Sequence, residues 1–98
     1  MEDIALVDDH PLLRKGLART IEAEADLNVA GQMDSAEEAL SEIEDLAPDL
    51  VIVDISLPGI SRMELIKHLQ SPVPDVQILF VSPPAHTLYA ARFLLAGP

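Results

Sequence analysis

The sequence predicts a three-layer α/β fold, a parallel sheet with helices on both faces, and three observations carry that prediction. Two short runs, Ile4-Ala5-Leu6-Val7 and Leu50-Val51-Ile52-Val53, are apolar at every position, the pattern of strands buried on both faces. Strand-like and helix-like stretches alternate along the chain without a break, which builds a parallel sheet through right-handed crossovers. Both apolar runs stop at aspartate, the first at Asp8-Asp9 and the second at Asp54. Open α/β sheets bind their ligands at the carboxyl ends of the strands, where that charge gathers.

Each element has its own signal. His10-Pro11 follows the first acid pair, and proline suits the first turn of a helix. Leu13, Leu17 and Ile21 then recur every four residues, with Arg14, Arg19 and Glu22 on the other side,. Leu27 to Gly31 reads as a second strand. Ser35 with Glu38 has the spacing of a capping box, and Ala36, Ala39, Leu40, Ile43 and Leu46 form the stripe of the helix behind it. Ala47-Pro48-Asp49 stops that helix and Leu50 opens the third strand. Ser61 and Glu64 repeat the capping-box spacing, with Met63, Ile66 and Leu69 as the expected apolar side. Val76 to Val81 reads as a fourth strand and Thr87 to Ala96 as a last helix closed by Gly97,.

Length and composition narrow the function. Ninety-eight residues make a single domain, residues 1–98, and 49% hydrophobic content supplies a core,. A formal charge of −11, with the six basic residues scattered, argues against direct nucleic-acid binding, which needs clustered Lys and Arg. No cysteine is present, so thiolate metal sites and disulfides are out. The acidic start has no signal-peptide character and no apolar stretch is long enough to span a membrane. The expectation is a cytoplasmic domain.

The chemistry follows from the aspartates. Neighbouring strands lie about 4.8 Å apart, so Asp8, Asp9 and Asp54 converge if their strands are adjacent. Carboxylates that close cannot all ionise comfortably without a cation or a proton. A hard divalent ion such as Mg²⁺, which takes carboxylates, a carbonyl and waters, fits the donor set. An aspartate beside it can act as a nucleophile toward phosphorus. Taken singly, Asp8-Asp9 could cap the first helix, Asp54 could begin a turn, and Ser82 could be a capping hydroxyl. His10 reads as a loop residue, and neither His68 nor His86 has a partner at metal-ligand spacing.

The stretch from Val7 to Leu17, Val-Asp-Asp-His-Pro-Leu-Leu-Arg-Lys-Gly-Leu, together with Asp49 to Gly59, Asp-Leu-Val-Ile-Val-Asp-Ile-Ser-Leu-Pro-Gly, resembles response-regulator receiver domains. The likeness is to those of bacterial two-component systems that precede a LuxR-type helix-turn-helix. It implies a flavodoxin-like (CheY-like) sandwich with sheet order 2-1-3-4. It implies that Asp54 accepts a phosphoryl group from a sensor histidine kinase. Asp8, Asp9 and Asp54, with the backbone carbonyl of Ser56, would hold Mg²⁺, and Ser82 would be the switch hydroxyl. Such a domain is a phosphotransfer acceptor rather than a turnover enzyme, and its transcriptional output would lie in a DNA-binding domain absent from this chain.

Departures from that pattern set further expectations. Relatives carry a fifth strand, its lysine and a fifth helix; this chain reaches Pro98 first, so a C-terminally truncated receiver is expected. Val76 to Val81 would then be an uncovered edge, which favours a homodimer or domain-swapped oligomer. Pro83-Pro84 after Ser82 stiffens the switch loop, and Arg62 reads as solvated. The alternative is a receiver-like dimerisation module that no longer switches. An aspartate-nucleophile hydrolase ranks lower, since Ser56 stands where its second aspartate would. A nucleotide-binding domain ranks last, since no glycine-rich loop follows the first strand,.

Overall fold

The computed structural model describes residues 2–82, as four strands and three helices in strict alternation. They are β1 (Glu2–Val7), α1 (Pro11–Glu22), β2 (Leu27–Met33), α2 (Ala36–Leu46), β3 (Leu50–Asp54), α3 (Arg62–Gln70) and β4 (Gln77–Val81). The expected Thr87 to Ala96 helix, the Pro83-Pro84 loop and whatever adjoins them lie outside the described residues. All strand pairs are parallel and the order is β2-β1-β3-β4, the expected arrangement. β1 and β3 are therefore neighbours, with Val7 opposite Val53.

Side-chain alternation along the strands makes the three layers. Ala5 and Val7 of β1, with Val51 and Val53 of β3, pack against Ala36, Ala39 and Ile43 of α2 and Leu65 and Leu69 of α3. Ile4, Leu6 and Ile52 point the other way, onto Leu17, Ala18 and Ile21 of α1. Burial of each large aliphatic side chain contributes about 1.5–3 kcal/mol. A strand apolar at every position is thus the consequence of having helices on both faces.

The helix starts and stops are local chemistry. Ser35 Oγ accepts from the Glu38 N–H at 3.1 Å, and the Glu38 side chain accepts from the N–H of Asp34, one residue before the cap. Ser61 Oγ accepts from the Glu64 N–H at 3.2 Å. Ala47 ends α2 in the left-handed region, φ 41°, with its N–H donated to the Ile43 carbonyl.

Two readings are corrected. β2 does not stop at Gly31 but continues to Met33, which pairs with Val7 and is fully buried. Gly31 is a place of close approach: a Cβ there would lie 2.8 Å from a terminal methyl of Leu46. On α3 the buried side is Leu65 and Leu69, four residues apart, whereas Met63 is 68% exposed. Arg62 is exposed, as read, and its guanidinium also lies 5.8 Å from the Phe80 ring centroid, in cation–π range.

Candidate functional site

β1 and β3 run in register and end side by side, so Asp8 immediately after β1 and Asp54 as the last residue of β3 emerge together. Both are buried, Asp8 4% and Asp54 1% exposed, in an otherwise apolar core. Asp9 is exposed and sits at the mouth. Asp8, Asp9, His10 and Asp54 each offer a ligand atom, and the four atoms all lie within 4.8 Å of one another. The structure therefore brings the three predicted aspartates together.

The two oxygens of Asp54 are not equivalent. Oδ1 accepts from the Ser56 N–H at 2.9 Å and from the Ser56 hydroxyl at 2.8 Å. Oδ2 is buried and has no hydrogen-bond donor. A buried carboxylate oxygen left so costs stability unless something fills the gap. Ser56 was expected to offer only its carbonyl; its N–H and hydroxyl fix which Asp54 oxygen stays open.

Asp8 is fixed by its own loop. Its Oδ1 accepts from the His10 N–H at 2.8 Å, and its carbonyl accepts from the Arg14 guanidinium at 2.7 Å. Arg14 also donates to Gln32 on β2 at 3.3 Å, tying α1, β2 and the acidic loop together. Helical periodicity had placed Arg14 on the solvent side; it is half-buried because a long side chain on the first turn reaches back to the strand end.

His10 is the second residue that sequence reasoning set aside. Its Nδ1 lies 3.0 Å from Asp8 Oδ1, 3.1 Å from Asp9 Oδ1 and 3.3 Å from Asp54 Oδ2. The hydrogen bond to Asp8 raises its pKa above the ordinary 6.5; partial desolvation opposes this, and the charges of Asp9, Asp8 and Asp54 reinforce it. Its adjacency to the acid pair was the available signal. It does not cap α1 through its side chain.

Ser82 follows β4 directly. Val81 pairs with Asp54, and its carbonyl accepts from the Ile55 N–H at 2.9 Å, so Ser82 stands at the same end of the sheet as Asp54. Among the described residues His68 lies on α3, outside this cluster. The donor set, all carboxylate oxygen apart from one imidazole nitrogen, with one buried oxygen unsatisfied, fits a hard divalent cation.

Known proteins share this architecture. A two-component response regulator of the LuxR family from Aurantimonas sp. SI85-9A1 superposes with a TM-score of 0.76 at 30% identity, over 93% of this chain and 69% of that one. The response regulator domain of Thermotoga maritima CheB gives a TM-score of 0.76 at 25% identity, over 87% and 63%. In sequence, the response regulator GacA of Pseudomonas viridiflava is 36% identical over 94 residues, covering 96% of this chain and 44% of the relative. The transcriptional activator protein ExaE of Pseudomonas putida is 40% identical over 79 residues, or 81% and 37%. The chain spans less than half the length of these two relatives. Residues 4–97 match the family described as the response regulator receiver domain, and the chain belongs to that family.

Proposed function

We propose that this domain accepts a phosphoryl group on Asp54 Oδ2 from the phosphohistidine of a sensor kinase, with Mg²⁺ held by Asp8, Asp9, Asp54 and the Ser56 carbonyl. The asymmetry of Asp54 supports this reading most directly: one oxygen is saturated by Ser56 and the other is buried and open. A divalent ion would supply charge neutralisation for an incoming phosphoryl group. The chain's own residues do the rest. The two Ser56 donors hold the Asp54 carboxylate from rotating, so Oδ2 faces the mouth where Asp9 and His10 stand. Oδ2 forms the bond to phosphorus as the phosphorus–nitrogen bond to the kinase histidine breaks, giving an acyl phosphate. Ser82, at the same sheet end, donates its hydroxyl to a phosphoryl oxygen and carries the change into the loop after β4.

On this reading the domain is an acceptor in phosphotransfer and not a turnover enzyme. Its partners are a histidine kinase and a second copy of the chain. Its output is transcriptional through a DNA-binding domain, as the likeness to ExaE and to LuxR-family regulators supports. Among the described residues no helix is long and apolar enough to cross a membrane, in keeping with a cytoplasmic location. The test is intact mass after incubation with a small-molecule phosphodonor, with and without Mg²⁺, beside an Asp54→Asn control. A single Mg²⁺-dependent phosphoryl adduct, lost in the control, is expected; no adduct on folded protein would overturn the proposal.

A further inference from the structure

The imidazole of His10 stands in the acidic centre in a way that one hydrogen bond does not explain. Nδ1 lies 3.0, 3.1 and 3.3 Å from oxygens of Asp8, Asp9 and Asp54, yet a ring nitrogen carries at most one hydrogen. The bond to Asp8 uses it, and Asp54 Oδ2, although within 3.3 Å of the ring, remains buried without a donor. Four ligand atoms drawn together, one of them an unsatisfied buried oxygen, match the shell a cation needs. In an octahedral complex with bonds of about 2.1 Å, neighbouring ligand atoms are separated by √2 times that length, about 3.0 Å. Nδ1 stands from the three oxygens at about that edge length, and one vertex of an octahedron has four such neighbours. A ring with its hydrogen on Nε2 presents the Nδ1 lone pair to the same point the carboxylates face.

We propose that His10 Nδ1 is a further protein ligand of this centre, beside the three aspartates and the Ser56 carbonyl, making it a mixed nitrogen–oxygen site that binds a borderline d-block divalent ion more tightly than its oxygen ligands alone would. The inference rests on the cation-binding reading above and extends it to which ions the site accepts. Mg²⁺ prefers oxygen and gains nothing from the ring, whereas imidazole is a good ligand for ions of the cobalt, nickel and zinc type. The loop that carries the ring is already seated by the hydrogen bond from the His10 backbone N–H to Asp8 Oδ1 at 2.8 Å. Asp8 thus orients the ligand as well as contributing its own oxygen.

The test uses Co²⁺ and Mg²⁺ as probes on the wild-type chain and on His10→Ala and His10→Gln, with titration by calorimetry. Co²⁺ affinity is expected to fall by about tenfold or more in both variants while Mg²⁺ affinity holds or rises. Proton NMR of the Co²⁺-loaded wild type provides a second readout that needs no variant. A coordinated imidazole shows an exchangeable N–H resonance shifted far outside the diamagnetic range and lost in D₂O. Equal loss of Co²⁺ and Mg²⁺ affinity in the variants, or Co²⁺ binding without that resonance, overturns the ligand assignment and leaves the carboxylate site standing. Failure of the wild type to bind either ion overturns both readings together.

Discussion

The buried Asp54 carboxylate and the His10 imidazole face each other across 3.3 Å at the carboxyl end of the sheet, the one fully enclosed and the other open to solvent. Asp54 Oδ2 there is the one buried side-chain oxygen without a hydrogen-bond donor among the described residues. Around it, Ser56 holds Oδ1 of Asp54 and Arg14 holds the Asp8 carbonyl. The expected behaviour of the site follows from which groups are held and which are left open.

Asp54→Asn should stabilise the metal-free domain. The amide oxygen still accepts from Ser56, while its NH₂ donates toward the Asp8 and Asp9 carboxylates that Asp54 now repels. A gain of about 1 kcal/mol raises the Tm of a domain this size by about 4–8 °C. Thermal unfolding in chelator checks it, and the same variant should lose Mg²⁺-dependent stabilisation.

His10 should titrate above 6.5 in metal-free protein, because its hydrogen bond to Asp8 favours the charged ring,. The sign for stability is that of a raised pKa: the contribution is complete below the unfolded value and is lost as pH rises through the folded one. A divalent cation competes for the same carboxylates, so saturating Mg²⁺ should bring the midpoint back toward 6.5. Histidine ring resonances followed by NMR, with His10→Gln for assignment, report both midpoints.

Arg14→Ala should cost about 1–2 kcal/mol and weaken Mg²⁺ binding, since the charged donor to the Asp8 carbonyl also bridges to Gln32,. Arg14→Lys restores charge without the paired geometry, so it should recover only part of either property. Denaturant unfolding and a Mg²⁺ titration on the same samples separate the two effects.

Ala47→Gly should stabilise the domain by about 0.5–1 kcal/mol. Ala47 sits at φ 41°, where a Cβ is disfavoured and glycine is not, and the relief exceeds the extra freedom glycine brings to the unfolded chain. Urea midpoints compared with wild type give the sign directly.

Much of this was legible before any coordinates. Continuous apolar runs gave β1 and β3, because burial on both faces erases alternation, and the aspartates that end them gave the site. Ser35 and Ser61 announced their helices through their spacing to Glu38 and Glu64. What escaped was set by contacts distant in sequence. Gly31 looked like a strand end, yet Leu46 from the next helix decides its role. Leu65 rather than Met63 reaches the core because it shares a helix face with Leu69, four residues on, and packs with it against the sheet,. Arg14 and His10 belong to the site through the fold of one tight loop, and helical periodicity assigned the first of them outward.

The most direct test of the account is to locate the phosphoryl group. Borohydride reduction of the acyl phosphate converts the modified aspartate to homoserine, and peptide mass spectrometry then gives its position. Homoserine at position 54 and at neither 8 nor 9 is the predicted result, because only Asp54 combines a pinned carboxylate with a buried, open oxygen. Homoserine at position 8 or 9, or an adduct that survives in Asp54→Asn, would contradict it.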